Sequence, residues 1–171
     1  LQSGGDMLLE AGRDLVITSA ETVDQQNYRD RKGYAQRSDI TQHASQAQAG
    51  GHLQASAGRD LGLIASHIKA DASVSLEAGG DVTIASAANE SHYDAYRKSS
   101  GKTVRAQGSR VAQQYSQIEA GTILGVLAGG DLALTSSQLK AGDEAYLVAG
   151  GKVQLLAEQD YDYSFSEKKK K

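Results

Sequence analysis

The chain repeats one short phrase five times, and this repetition strongly limits the folds it can adopt. Each copy is an alanine–glycine corner followed by an alternating apolar stretch, and the copies begin at Ala11, Ala57, Ala78, Ala128 and Ala149. Ala57 and Ala78 lie 21 residues apart, as do Ala128 and Ala149, whereas the other two gaps are 46 and 50 residues. Each longer gap therefore contains one 21-residue unit and a polar excursion.

Within the 21-residue unit, apolar residues alternate with polar ones in three short stretches. In the unit that begins at Ala57 they are Leu61, Leu63, Ile68, Ala70, Val74 and Leu76. A period of two indicates strands, and the Gly, Asp and Ser residues between the stretches indicate tight turns. We therefore predict an all-β fold, a right-handed parallel β-helix with three short strands per coil of about 21 residues and about five coils.

The repeated phrase predicts both a corner and a core. At Gly79–Gly80 we expect a turn in which at least one residue has a positive φ, and Asp81 should bind backbone N–H groups there. The alternating residues that follow should point inward. The positions expected to be buried are Leu61, Val82, Ile84, Leu132 and Leu134.

The excursions span about residues 20–46, 87–117 and 157–171, and most of the aromatic residues lie in them. We predict extra-helical β-hairpins rather than disordered loops, with the aromatic side chains packing on one another. Exposed Tyr beside Arg also suits contact with carbohydrate or protein. The candidate interaction surface is Tyr28, Arg31, Tyr34, Tyr93, Tyr96, Arg97, Tyr161 and Tyr163.

The two-level repetition resembles the haemagglutinin repeat of large two-partner-secreted exoproteins of Gram-negative bacteria. The likeness rests on "AGGDVTIASA", the Tyr-bearing excursion after it, and "AGGDLALTSSQLKAGDEAYLVAGGKVQLLAE". The family includes filamentous-haemagglutinin-like adhesins and contact-dependent growth inhibition effectors. The resemblance implies one repeat segment over 1–171, part of a longer protein. Lys152 in place of Asp and the glycine-poor corner at Ile123–Val126 depart from the pattern without threatening the fold.

The resemblance also implies where such a protein acts. It implies secretion across the outer membrane through a partner transporter and a fibre on the bacterial cell surface. The partners would be neighbouring repeats of the same exoprotein and a host or target-cell surface. In the inhibition effectors, this kind of region is associated with delivery of a C-terminal toxin.

Other chemistry is weakly represented in the sequence. The chain has no Cys, and the spacing of His43, His52, His67 and His92 matches no zinc motif, so we expect no metal or cofactor. A net charge of −3 gives no electrostatic reason to bind nucleic acid. Asn89–Ser91 forms an N-x-S sequon on a predicted exposed turn.

The strongest enzymatic alternative is a column of corner carboxylates, Asp14, Asp60, Asp81 and Asp131. Stacked carboxylates can bind metal or act as general acid and base. These residues lie inside the repeated phrase, however, where corner capping already explains them. The sequence therefore favours a non-catalytic structural segment for adhesion or toxin delivery, and a carbohydrate-binding or carbohydrate-active β-helix is the alternative.

Overall fold

A computed structural model of the chain describes residues 1–170, which form strands and turns without any helix. None of these residues therefore belongs to a helix that could cross a membrane. The strands are β1 (Gln2–Ser3), β2 (Met7–Ala11), β3 (Leu15–Thr18), β4 (Ala20–Asp30), β5 (Gly33–His43), β6 (Ser45–Ala49), β7 (Leu53–Ala57), β8 (Leu61–Ile64), β9 (Ser66–Ala70), β10 (Val74–Ala78), β11 (Val82–Ala85), β12 (Ala87–Ser99), β13 (Lys102–Gln114), β14 (Gln117–Ala120), β15 (Ile123–Ala128), β16 (Leu132–Thr135), β17 (Gln138–Ala141), β18 (Glu144–Ala149), β19 (Val153–Leu156) and β20 (Tyr161–Lys170).

The chain divides into two compact units. The coil unit comprises residues 1–20, 43–87 and 114–158, and contains three parallel sheets of five strands each. Their orders are β1-β6-β9-β14-β17, β18-β15-β10-β7-β2 and β19-β16-β11-β8-β3. Successive turns of the chain thus add one strand to each sheet, which confirms the predicted parallel β-helix of five coils with three strands each.

Equivalent apolar residues of successive coils stack in register to form the core. Val82 pairs with Leu61 in the coil before it and with Leu132 in the coil after it. Ile84 lies between Leu63 and Leu134 in the same way. The five residues predicted to be inward-facing are all buried. Each such side chain contributes about 1.5–3 kcal/mol relative to an exposed position.

The glycine corners differ from the prediction in their cause. Gly79 and Gly80 do not have positive φ, and Gly101 is the glycine with positive φ among residues 1–170. Instead, a Cβ atom placed on Gly79 would lie 2.5 Å from the carbonyl oxygen of Gly58 in the preceding coil. Glycine is required here because coils stacked about 4.8 Å apart bring backbone against backbone.

A second corner, which follows β3, β8, β11, β16 and β19, controls whether the chain stays in the coil. After β8 and β16 the chain turns directly through Ala65 and Ser136, both with positive φ. After β3 and β11 it leaves for a hairpin and returns at Ser45 and Ser116. Ser116 is fully buried, where its Oγ donates to the carbonyl oxygen of Ala85 (2.7 Å) and accepts from the N–H of Ser66 (3.1 Å).

The hairpin unit comprises residues 21–42, 88–113 and 159–171, which fall within the expected excursions. It is one five-stranded sheet of order β20-β13-β12-β5-β4. β4–β5 and β12–β13 are hairpins, as predicted, with two-residue turns at 31–32 and 100–101. The third excursion differs from the prediction, because its described residues contribute the single strand β20 and not a hairpin. Among residues 21–42, 88–113 and 159–170, no side chain is fully buried.

One hairpin joins the next through antiparallel pairing and a side-chain clasp. β12 pairs with β5, and β20 pairs with β13. The two junctions have the same register: Ile40 opposes Glu90, and the residues 71 positions later, Val111 and Tyr161, oppose each other. Asn89 Oδ1 accepts from the N–H of Gln42 (2.6 Å), and Asp160 Oδ1 accepts from the N–H of Gln113 (2.8 Å). The predicted position of the sequon is therefore wrong, because Asn89 lies within a strand and its side chain is engaged.

Candidate functional site

The corner carboxylates tie each coil to the next. The backbone N–H of Asp81 donates to Asp60 Oδ1 at 3.0 Å, and that of Asp131 donates to Asp81 Oδ1 at 2.7 Å. In the last coil Lys152 replaces the aspartate, but its backbone N–H still donates to Asp131 Oδ1 at 2.8 Å. These bonds confirm the capping interpretation, since each carboxylate satisfies a backbone donor of the following coil.

Asp14, in the first coil, has an additional partner. Arg59 Nε and Nη2 donate to Asp14 Oδ1 and Oδ2 at 2.7 and 2.5 Å, and Arg59 also lies 3.3 Å from Asp60 Oδ2. The hydrogen bonds from Arg59 hold the pKa of Asp14 below its ordinary value of 3.8. The carboxylate is thus committed to an ion pair. In residues 1–170, no group of three or more acidic or His side chains could hold a metal ion.

The eight residues of the candidate interaction surface belong to the hairpin unit, and they divide between its two faces. Side chains alternate along a strand, so Tyr93, Ala95 and Arg97 of β12 share one face. The opposing residues of β5 are Arg37, Ala35 and Gly33. Arg31 lies in the β4–β5 turn and is exposed.

The face that carries Tyr93 has a cavity of about 400 Å³. We name it the tyrosine trough. Its floor consists of Ala35, Ala95 and Ala106, and its walls are Tyr28, Tyr93, Arg97 and Val104. Ala35 and Ala95 are directly paired across β5 and β12. Three small side chains on neighbouring strands thus leave a hollow between larger ones.

Tyr28 is fixed at one end of the trough by a hydrogen-bonded turn. Its hydroxyl donates to Asp30 Oδ2 at 2.9 Å, and this bond raises the pKa of Tyr28. Asp30 Oδ1 accepts from the N–H groups of Lys32 (2.7 Å) and Gly33 (2.8 Å). These bonds lower the pKa of Asp30, with the Lys32 N–H as the main cause. The turn and the aromatic wall are therefore one connected structure.

The opposite face holds a second aromatic group. Tyr34 and Tyr96 are stacked with ring centroids 6.1 Å apart and planes inclined by 27°, and the Arg105 guanidinium lies 5.6 Å from the Tyr96 centroid. Tyr34 also donates a hydrogen bond to Asp94 Oδ2 at 3.3 Å. Tyr34 and Tyr96 are also among the residues that line the trough, but their rings stack on each other. Their role is cross-strand packing.

The structure does not bring Tyr161 and Tyr163 to the trough. Tyr163 opposes Ser109, whose Oγ lies 3.0 Å from His92 Nδ1. His92 is on the face opposite Tyr93, because the two are neighbours in one strand. Tyr161 and Tyr163 therefore form an exposed stripe with Phe165 on that other face.

A hemagglutinin repeat family model matches two overlapping stretches, residues 27–108 and 96–171. Together they include both hairpin junctions and most of the coil unit. The chain belongs to the hemagglutinin repeat family. No curated protein and no solved structure matches the chain.

The family match agrees with the internal repetition of the structure. This hemagglutinin repeat region, of the kind found in filamentous-haemagglutinin-like exoproteins, is built from coil pairs that each carry one hairpin. Sequence reasoning missed two features of it, the alanine floor and the Asn89 clasp. The clasp had a visible signal, since Gln42 and Gln113 lie 71 residues apart, as do Asn89 and Asp160.

Proposed function

We propose that this hemagglutinin repeat segment is a non-catalytic structural section of a large secreted bacterial cell-surface exoprotein. It serves as a fibre section for adhesion or for contact-dependent toxin delivery. One observation supports this most: five coils share one register, one core and one set of corners. An enzyme needs particular groups at one place, whereas these coils repeat the same carboxylate at the same corner.

The proposed partners follow from the ends of the coil unit. In the last coil, Val153 and Leu155 are 49% and 71% exposed, although Leu132 and Leu134, which they stack upon, are buried. A further coil would cover them, which favours neighbouring repeats of the same exoprotein as partners. An outer-membrane transporter during export and a host or target-cell surface complete the proposal. Nucleic acid is not among the proposed partners.

Tandem copies test the structural role. Two copies of the chain joined through one continuous coil should unfold in a single transition. Small-angle scattering should show the coil axis lengthened by about 24 Å, because five coils each rise about 4.8 Å. Independent unfolding of the two copies, or no gain in length, would contradict a fibre section.

The alternative is a carbohydrate-active β-helix that uses the corner carboxylates. Its test is incubation with acidic polysaccharides, with and without calcium. Release of oligosaccharides by the parent chain, lost in a variant with Asp60→Asn and Asp81→Asn, would establish that alternative. We expect no release, because the Asp60 and Asp81 carboxylates each accept a backbone hydrogen bond.

A further inference from the structure

The tyrosine trough runs across strands rather than along them. Ala35, Ala95 and Ala106 belong to β5, β12 and β13, which are neighbours in the hairpin sheet. Tyr28 of β4 continues the line at one side. Tyr93 and Arg97 lie on opposite sides of the alanine row, since they precede and follow Ala95 by two residues. At about 400 Å³ the hollow is within the size range of small-ligand sites.

The floor offers no backbone hydrogen bonds to a ligand. In a sheet the N–H and C=O groups lie in the plane of the strands, and β5 and β12 use theirs in the ladder between them and in the ladders with β4 and β13. An extended peptide laid across the alanines would leave its own backbone groups unpaired, which is costly. A pyranose ring presents an apolar C–H face, keeps its hydroxyls at the rim, and packs well against exposed tyrosine rings.

Positive charge at one end of the trough favours a ligand that carries a negative charge. Arg97 and Lys102 line that end, both side chains are exposed, and no ion pair within 4.0 Å joins either to a carboxylate in residues 1–170. Asp30 is close enough for Arg97 to lower its pKa slightly, but the Asp30 oxygens already accept from Tyr28, Lys32 and Gly33. Arg97 is therefore available to an incoming carboxylate.

We propose that the tyrosine trough binds an acidic saccharide. The sugar ring packs against Tyr93 and Tyr28 above the alanine floor, and its carboxylate pairs with Arg97. The proposal deepens the adhesive form of the proposed function and rests on it for its biological role. Binding itself is a property of the isolated chain.

Titration of the full chain with two acidic probes, 3′-sialyllactose and digalacturonate, tests the proposal, with lactose as the neutral control. In ¹⁵N-resolved NMR spectra, at least one acidic probe should shift the amide signals of Tyr93, Ala95 and Arg97. It should bind about tenfold more tightly than lactose, the effect of one charge-assisted hydrogen bond. Failure of both acidic probes to shift these signals would overturn the proposal.

Variants separate the aromatic and ionic contributions. Arg97→Gln should remove the preference for the acidic probe, and Tyr93→Ala should weaken acidic and neutral sugars alike. Ala95→Leu should fill the floor and abolish binding. The matched controls lie on the opposite face: Arg105→Gln and Tyr163→Ala should bind as the parent does. An unchanged spectrum away from the substitution shows that each variant is folded.

Two outcomes would contradict the trough as the site. The first is that inorganic tripolyphosphate shifts the same signals as strongly as the sugars and that Tyr93→Ala leaves these shifts unchanged, which would indicate charge attraction alone. Equal losses in Arg97→Gln and Arg105→Gln would indicate the same. Neither result would affect the tandem-copy test, so a failure of the saccharide proposal remains distinct from a failure of the fibre proposal.

Discussion

The coil unit and the hairpin unit have the same alternating sequence pattern, but only the coil unit uses it to form a buried core. In the inner coils of the coil unit one set of alternating residues is buried, as for Leu63 and Ile84, both fully inaccessible. In the hairpin unit neither set is fully buried among the described residues. The first unit is stabilised by burial, and the second by its ladder, cross-strand pairs and clasps. Period-two alternation therefore identifies a strand but does not identify a core.

Truncation of a buried side chain should change the free energy of unfolding most, and it should do so only in the coil unit. Leu132→Ala should lower the free energy of unfolding by about 2–5 kcal/mol, because the side chain is fully buried and its removal leaves a cavity. Val104→Ala in the hairpin sheet removes an exposed side chain and should change it by less than about 0.5 kcal/mol. Urea denaturation measures both. Equal effects would show that the coil core does not dominate stability.

The next effect tests the stacking explanation for the corner glycines. Gly79→Ala should cost about 1–3 kcal/mol, because its Cβ would press on the backbone carbonyl of Gly58. Gly12→Ala is the matched control, since Gly12 occupies the same corner of the first coil and a Cβ there meets nothing within 4 Å. Thermal unfolding of the two variants distinguishes stacking from turn conformation. A similar loss in both would contradict stacking as the cause.

A smaller effect sharpens the account of the hairpin unit. Asn89→Ala removes the clasp on Gln42 and should cost about 0.5–1.5 kcal/mol. The loss should be local. Hydrogen exchange should become faster along the β5–β12 junction and stay unchanged in β11 and β16, which pair within the coil core. Asn89→Asp keeps the acceptor, as Asp160 does at the next junction, and should retain protection.

The smallest expected effect is a dependence of stability on pH. Arg59 lowers the pKa of Asp14, so the pair stabilises the fold fully above the ordinary pKa of 3.8 and loses that contribution as the pH falls through the lowered value. Asp14→Asn should thus be slightly less stable than the parent at neutral pH and equal to it in strong acid. A difference that persists at about pH 2 would mean that Asp14 acts through something other than its charge.

The coil could be predicted from sequence because its information is local and repeated. Each corner and each inward pair recurs after 21 residues, or after 46 or 50 residues where an excursion intervenes, so Val82 and Ile84 identify their partners by position within the repeated phrase. The prediction that glycine is required at the corner was right, but its stated cause, a positive φ, was wrong. In the sequence, a glycine required by close contact between coils looks the same as a glycine required by a turn. The trough could not be predicted at all. Its floor depends on which residue of β5 opposes Ala95, and that register is set between hairpins rather than within one.

The chain leaves the coil unit after β3, β11 and β19 but not after β8 or β16, so every second coil carries an excursion. The 71-residue period therefore sets the smallest genetic step by which such an array can grow or shrink without changing its pattern. Recombination that removes 71 residues, the spacing of Ala57 and Ala128, deletes two coils with their hairpin. The two ends that are then joined occupy equivalent positions of the repeat. Loss of a single 21-residue coil would instead break the alternation of coils with and without an excursion, so lineages should differ in length by even numbers of coils.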